Sequence, residues 1–261
     1  MQVSLEGKKA LVGGSSRGIG RAIAEQLAAS GAGVTLMARS ENKLKEIVAG
    51  LPVAKGQQHD YLVVDFSDAE AYHERMTDFF AGNTIDILVN NTQGPPAGNS
   101  LEMKEDSYQE AFDLLFKSVL ITTQLALKHM MAAQWGRIIN VASVSVKEPL
   151  PYLVLSNTIR AAVVTWAKSL ATDVGKYGIT VNNVLTGYFD TERIAQLNEK
   201  KAALQGIPVT QVRADMESKV PLGRIGRPEE YGYLAAFLAS DKASYITGIN
   251  LPIDGGLLNS L

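Results

Sequence analysis

Between the run Lys9-Ala10-Leu11-Val12 and the stretch from Arg21 to Ser30 lies Gly13-Gly14-Ser15-Ser16-Arg17-Gly18-Ile19-Gly20. The run before it is short and apolar, as a strand covered on both faces requires. The stretch after it sets Ile23 and Leu27 on one helical face and closes at Gly31. Strand, glycine-rich turn and helix in this order present backbone N–H groups at a helix N-terminus. Glycine lets the backbone come close to a phosphate, and the helix end favours its negative charge. A glycine-rich string alone marks only a tight turn. Set between a strand and a helix, it points to a nucleotide.

The same alternation continues outward along the chain. Further strands are expected at Gly33–Ala38, Tyr61–Val64, Ile85–Asn90, Arg137–Val141, Ile179–Val184 and Gly248–Pro252. Helices are expected at Glu41–Ala49, Asp68–Phe80, about Tyr108–Ala133, Leu155–Tyr177 and Pro228–Ala239. Regular strand–helix alternation implies parallel strands joined by right-handed crossovers, with helices on both faces. The expectation is an α/β fold: one Rossmann-type doubly wound parallel sheet of about seven strands, formed by residues 1–261 as a single domain.

Composition narrows the function. The net charge of −2, with Lys and Arg scattered, argues against a nucleic-acid surface or a polybasic membrane patch. The absence of cysteine removes disulfides, zinc-thiolate sites and cysteine nucleophiles. His59, His73 and His129 lie far apart with no metal-ligand spacing, so no metal is expected. No apolar run reaches the roughly 20 residues that span a bilayer. Met1 to Lys9 shows no secretory hydrophobic region, so a cytoplasmic location is the default reading.

The spacing Gly14-x-x-x-Gly18-x-Gly20 resembles that of the short-chain dehydrogenase/reductase family, and other motifs follow in order. Asn90-Asn91 resembles the family's Asn-Asn-Ala-Gly element. Arg137 to Ser143 is similar to its strand leading into a catalytic serine. Asn182-Asn183-Val184-Leu185-Thr186-Gly187 resembles its Asn-x-x-x-Pro-Gly segment. The tail from Pro221-Leu222-Gly223-Arg224 to Asp254-Gly255-Gly256 resembles the 3-oxoacyl-[acyl-carrier-protein] reductase branch. The resemblance implies an oxidoreductase that reduces a carbonyl, from an acyl thioester or another small molecule, to an alcohol. It also implies a homotetramer that pairs the two long helices and the C-terminal strands.

The cofactor follows from charge as well as from resemblance. A sheet preferring NAD usually ends its second strand in an acid that grips the ribose 2′-hydroxyl. Here Ala38 is followed by Arg39, and Arg17 sits within the turn. Two guanidinium groups favour a 2′-phosphate, so NADP(H) is expected, although either arginine alone reads equally well as a solvated charge. By resemblance the cofactor contacts are Gly14, Ser16, Arg17, Gly18, Ile19, Gly20, Arg39, Asp65, Phe66, Asn91, Gly187, Phe189 and Thr191.

The catalytic pattern departs from the family. Ser143 matches its serine, but the Tyr-x-x-x-Lys pair reads Ser156-Asn157-Thr158-Ile159-Arg160, and the upstream asparagine falls on Leu115. A serine hydroxyl is a far weaker acid than a phenol, and arginine stays protonated. Ser156 and Arg160 nevertheless share a helix face. The catalytic candidates are Ser143, Ser156, Arg160 and Tyr188. Tyr188, with Tyr152 beside it as a further choice, is a displaced proton donor or, more simply, pocket lining. Two other readings stand beside the reductase: a non-catalytic NADP(H)-binding scaffold, and an enzyme using Arg160 to hold a carboxylate or enolate. The segment 191–220 is roughly a dozen residues longer than in typical members and reads as a helical lid, or as an ordinary surface insertion. Its helices are expected at Glu192–Leu204 and Pro208–Ser218.

Overall fold

The structure, a computed structural model, describes residues 3–260. A seven-stranded sheet among them has the order β3-β2-β1-β4-β5-β6-β7, with every neighbouring pair parallel. The strands are β1 (Lys9–Gly13), β2 (Gly33–Ala38), β3 (Asp60–Val63), β4 (Ile87–Asn90), β5 (Gly136–Ser143), β6 (Ile179–Thr186) and β7 (Asn250–Ile253). Chain order reverses between β1 and β4, so the sheet has its topological switch point there.

The helices are α1 (Gly18–Ala29), α2 (Glu41–Gly50), α3 (Ala69–Gly82), α4 (Glu105–Phe112), α5 (Ser118–Ala133), α6 (Val154–Val174), α7 (Glu192–Gln205), α8 (Val209–Glu217) and α9 (Pro228–Ala239). Two differences from expectation affect the site. The long helix from Tyr108 is broken by a π-turn at Asp113–Lys117, so α4 and α5 are separate. β5 and β6 also run further than their apolar cores suggested, ending at Ser143 and Thr186, which pair with each other.

Two large apolar cores cover the sheet, and a small third cluster, Ala142, Val144, Val164 and Leu185, lies by the ends of β5 and β6. On one face α1 and α9 bring Ile23, Leu27, Tyr231 and Leu238 over β1, β2 and β6. On the other α3, α5 and α6 bring Met76, Ala126, Met130 and Ala167 over Leu11, Leu88 and Ile138. Between them the sheet carries a polar row. Asn90, Asn140, Asn183 and Asn250 are in register on β4 to β7. The Asn90 Nδ2 donates to Asn140 Oδ1 at 2.8 Å, Asn140 Nδ2 to Asn183 Oδ1 at 2.9 Å, and Asn183 Nδ2 to Asn250 Oδ1 at 2.8 Å. Each amide donates to the oxygen of the next, which is how polar groups remain in an apolar sheet without loss.

Candidate active site

The glycine turn lies at the C-terminal end of β1, beside the switch point. Gly14 and Gly18 have φ of 56° and 54°, in the left-handed region. Asn91 fills the space against Gly13, Gly14 and Gly20. Its Nδ2 donates to the Gly13 carbonyl at 3.0 Å, and a Cβ on Gly14 or Gly20 would lie 2.8 or 2.7 Å from that nitrogen. The Asn91 amide therefore secures the turn from within. Ser15, buried and overlooked in the sequence, ties the turn to β2: its N–H donates to the Met37 carbonyl at 3.2 Å, and its Oγ accepts from the Met37 N–H at 2.9 Å. Ser16 and Ile19 are partly exposed on the same turn.

The first turn of α1 has neither a side-chain cap nor an acidic residue. Its N–H groups are left to an anion from outside the helix. Arg17 is exposed and pairs through Nη1 with Glu192 at 2.7 Å. Arg39, after β2, stands 3.9 Å from Asp65. The Asp65 carboxylate accepts from the Ser67 N–H and hydroxyl at 2.9 and 2.6 Å. Those Ser67 bonds, with a smaller effect of Arg39, hold its pKa below the ordinary value. The Phe66 and Phe189 side chains are buried in the two cores, so only their backbones are open to a ligand. Phe189 pairs with Gly226 through the Tyr188 carbonyl and the Asp190 N–H, and neither bond uses its own amide. Gly187 packs on the tail: a Cβ there would lie 2.6 Å from the Asp254 Cα.

The catalytic candidates occupy the C-terminal ends of β5 and β6. Ser143 closes β5, and its Oγ accepts from the Ser145 N–H at 3.1 Å. One turn into α6, Ser156 Oγ accepts from Arg160 Nε at 3.2 Å, while Arg160 Nη1 donates to the Val141 carbonyl at 2.5 Å. Burial lowers the Arg160 pKa, opposed by a smaller effect of Tyr231, but arginine remains a cation. Leu115 sits in the π-turn and lines a small cavity with Arg160, Asn90 and Thr92.

Tyr188 follows β6. Burial raises its pKa, and burial together with Tyr188 raises that of Tyr152. Among the described residues no hydrogen bond joins Tyr188 to Ser143, Ser156 or Arg160. It lines a groove with Leu222, Arg224 and Asp254 instead. Thr186, where the family has proline, donates to the Tyr231 hydroxyl at 3.1 Å, and that hydroxyl donates to the Val184 carbonyl at 3.3 Å. Only the unusual threonine hinted at this buried pair.

The segment after Thr191 forms α7 and α8. Thr191 Oγ1 caps α7 by accepting from the Ile194 N–H at 3.4 Å. Arg213 of α8 reaches Asp190 with two bonds, at 3.2 and 3.1 Å. A Cβ on Gly18 would meet Thr191 Cγ2 at 3.3 Å, so the start of α7 sits over the glycine turn. No cluster of metal-ligating side chains and no helix long and apolar enough to cross a membrane occurs among the described residues.

The sheet order, the glycine turn at the switch point and the serine closing β5 define a class, and the chain belongs to the short-chain dehydrogenase/reductase family. Residues 14–258 match the family model described as enoyl-(acyl carrier protein) reductase. The chain is 37% identical over 255 residues to the 3-oxoacyl-[acyl-carrier-protein] reductase FabG of Salmonella typhimurium, covering 98% of this chain and 99% of that one. It also matches the solved structure of L-sorbose reductase from Gluconobacter frateurii complexed with NADPH and L-sorbose. That match has a TM-score of 0.92 at 30% identity and covers both chains fully (100%). YwfH, described as an NADPH-dependent reductase involved in bacilysin biosynthesis, matches with a TM-score of 0.91 at 27% identity, over 97% of this chain and 99% of that one.

Proposed function

We propose that the protein is an NADP(H)-dependent oxidoreductase that reduces a carbonyl to an alcohol, with a 3-oxoacyl thioester as the first substrate class to test. The observation carrying this reading is the uncapped, acid-free start of α1 beneath a glycine turn, with Arg17 and Arg39 beside it and no acid at the end of β2. The ion pairs of both arginines are solvent-exposed. Such pairs contribute little, so both guanidinium groups remain available to a 2′-phosphate. The three relatives named above are described as reductases, two of them with NADPH. They lend the scaffold alternative no support.

When bound, the cofactor supplies a hydride to the carbonyl carbon. The chain must then stabilise and protonate the developing alkoxide. In this proposal Ser143 and Ser156 donate hydrogen bonds to the developing alkoxide. Ser156 gives it a proton and is reprotonated from solvent, since Arg160 stays a cation. Arg160 accepts nothing: it donates to Ser156 Oγ, so the serine's own hydrogen is free to point toward substrate. The fixed positive charge behind Ser156 favours charge on the oxygen in front of it. Tyr188 borders the substrate, and α7 and α8 act as its lid. Homotetramer assembly belongs to the same reading. It is supported by an aromatic row where α4 meets α6: Phe112, exposed, stacks on Phe116, and Phe116 meets Trp166 edge-on.

Fluorescence titration with NADPH and NADH, followed by addition of a short 3-oxoacyl thioester, tests the proposal. Tight NADPH binding with turnover is expected. Binding without turnover would reject this substrate class, and absence of binding would reject the cofactor.

A further inference from the structure

The first turn of α7 spans the switch point. On one side Thr191 lies over Gly18 and Glu192 pairs with Arg17, both residues of the glycine turn after β1. On the other, Arg193 Nη2 donates to the carbonyl of Pro95 at 3.3 Å and would lie 3.7 Å from a Cβ on Gly94, in the loop after β4. The crevice between β1 and β4 is where an open α/β sheet takes its ligand, and Arg193 roofs it.

Its bonding is incomplete. A guanidinium carries five N–H donors in a fork suited to two phosphate oxygens. Among the described residues Arg193 has one long bond to a backbone carbonyl and no carboxylate partner, since the neighbouring Glu192 is engaged by Arg17. Arg193 is open to solvent on its outer side, and partial burial first, then the like charge of Arg17, lowers its pKa. A second cation in the roof above an uncapped helix N-terminus favours an anion between the two.

We propose that Arg193 binds the diphosphate of the dinucleotide from above, opposite the α1 N-terminus, so that closing the lid and gripping the cofactor are one event. The proposal rests on the dinucleotide reading given above. Arg17 and Arg39 serve the 2′-phosphate in that reading, and Arg193 serves the centre of the same ligand.

Arg193→Met and Arg193→Lys are compared with the parent by NADPH fluorescence titration. Adenosine 2′-monophosphate, which has the adenine and 2′-phosphate but no diphosphate, serves as the competing probe. Expected is a roughly ten- to hundredfold loss of NADPH affinity in Arg193→Met, the range of one charge-assisted hydrogen bond. Arg193→Lys should recover part of it, the melting temperature should be unchanged, and the competitor should bind as to the parent. Equal loss for both ligands would place Arg193 at the adenosine end or in the lid's folding and overturn the proposal. Unchanged NADPH affinity would overturn it as well. A parent protein that binds neither ligand would reject the dinucleotide reading itself, which separates that failure from the failure of Arg193.

Discussion

Arg160 holds Ser156 from one helical turn away, donating from Nε to Oγ at 3.2 Å, while its Nη1 is anchored on the Val141 carbonyl at 2.5 Å. The serine Oγ thereby accepts from the protein, and the proposed reaction uses its hydroxyl as the donor. Ser156→Ala is expected to lower kcat by roughly 10²-fold or more, the usual contribution of a positioned proton donor, and to leave NADPH affinity intact. The double change Ser156→Tyr with Arg160→Lys rebuilds the family's Tyr-x-x-x-Lys pair, with Leu115 still in the asparagine's place, and is expected to match or exceed parental kcat. Steady-state kinetics on the two variants is the check. An unchanged kcat in Ser156→Ala would remove this hydroxyl from the chemistry.

The tyrosines predict the shape of the pH profile. Burial raises the pKa of Tyr188 and of Tyr152 above the ordinary value of 10.0. A raised pKa keeps the phenol protonated to higher pH, so neither group loses its proton in the neutral range. The expected kcat profile has no basic limb below about pH 10. Tyr188→Phe is expected to raise KM and to reduce kcat by less than about tenfold, below the usual range for losing a proton donor. A larger fall in kcat would make Tyr188 the donor after all.

Arg39 stands 3.9 Å from Asp65, with both side chains open to solvent. An exposed pair this loose opposes transfer to a phosphate only weakly. Arg39→Ser is therefore expected to weaken NADPH binding about tenfold or more and to leave NADH binding unchanged. Parallel titrations with the two nucleotides distinguish a 2′-phosphate contact from a general loss of the site.

The fold was legible because period and punctuation agree. β2 and α9 match their expected limits, and the glycine turn follows β1 directly. Boundaries slipped at strand ends: the expected fifth and sixth strands already held Asn140 and Asn183, but the pairing carries them on to Ser143 and Thr186, beyond their apolar runs. The π-turn at Asp113–Lys117 was illegible because its residues fit an ordinary helix equally well. Of the site, Ser156 and Arg160 could be paired from helical spacing alone. The roles of Ser15, Tyr231 and Arg193 depend on contacts with residues 22, 45 and 98 positions away in sequence. No local pattern encodes such contacts.

Asn140 is the middle of the amide row, accepting from Asn90 and donating to Asn183. It is 1% exposed. Asn140→Leu removes an acceptor and a donor together and leaves two buried amides without those partners. Unsatisfied buried groups cost about 1–3 kcal/mol each, so a loss of several kcal/mol is expected in urea unfolding at unchanged m-value. Asn140→Asp tests the direction of the chain, because a carboxylate accepts from Asn90 but cannot donate to Asn183.

Glu230 governs behaviour in acid. Its two oxygens take bonds from Arg224 at 2.9 and 2.7 Å, and Oε2 also accepts from the Arg227 N–H at 2.7 Å, which caps α9. Arg224 first and the Arg227 N–H second push its pKa down from 4.5 to about 2. A carboxylate whose pKa is depressed by folding contributes its stability above the unfolded value, and that contribution fades as pH falls through the folded value. Glu230→Gln should therefore lower the melting temperature at neutral pH by about 2–4 °C, as losing a cap worth about 1 kcal/mol does in a chain of this size. The gap to the parent should persist down to pH 4.5 and close as the pH approaches 2. Calorimetric melting temperatures at pH 7, 4.5 and about 2 measure this directly. A gap that persists undiminished in acid would show that Glu230 acts through its shape and hydrogen bonds rather than its charge.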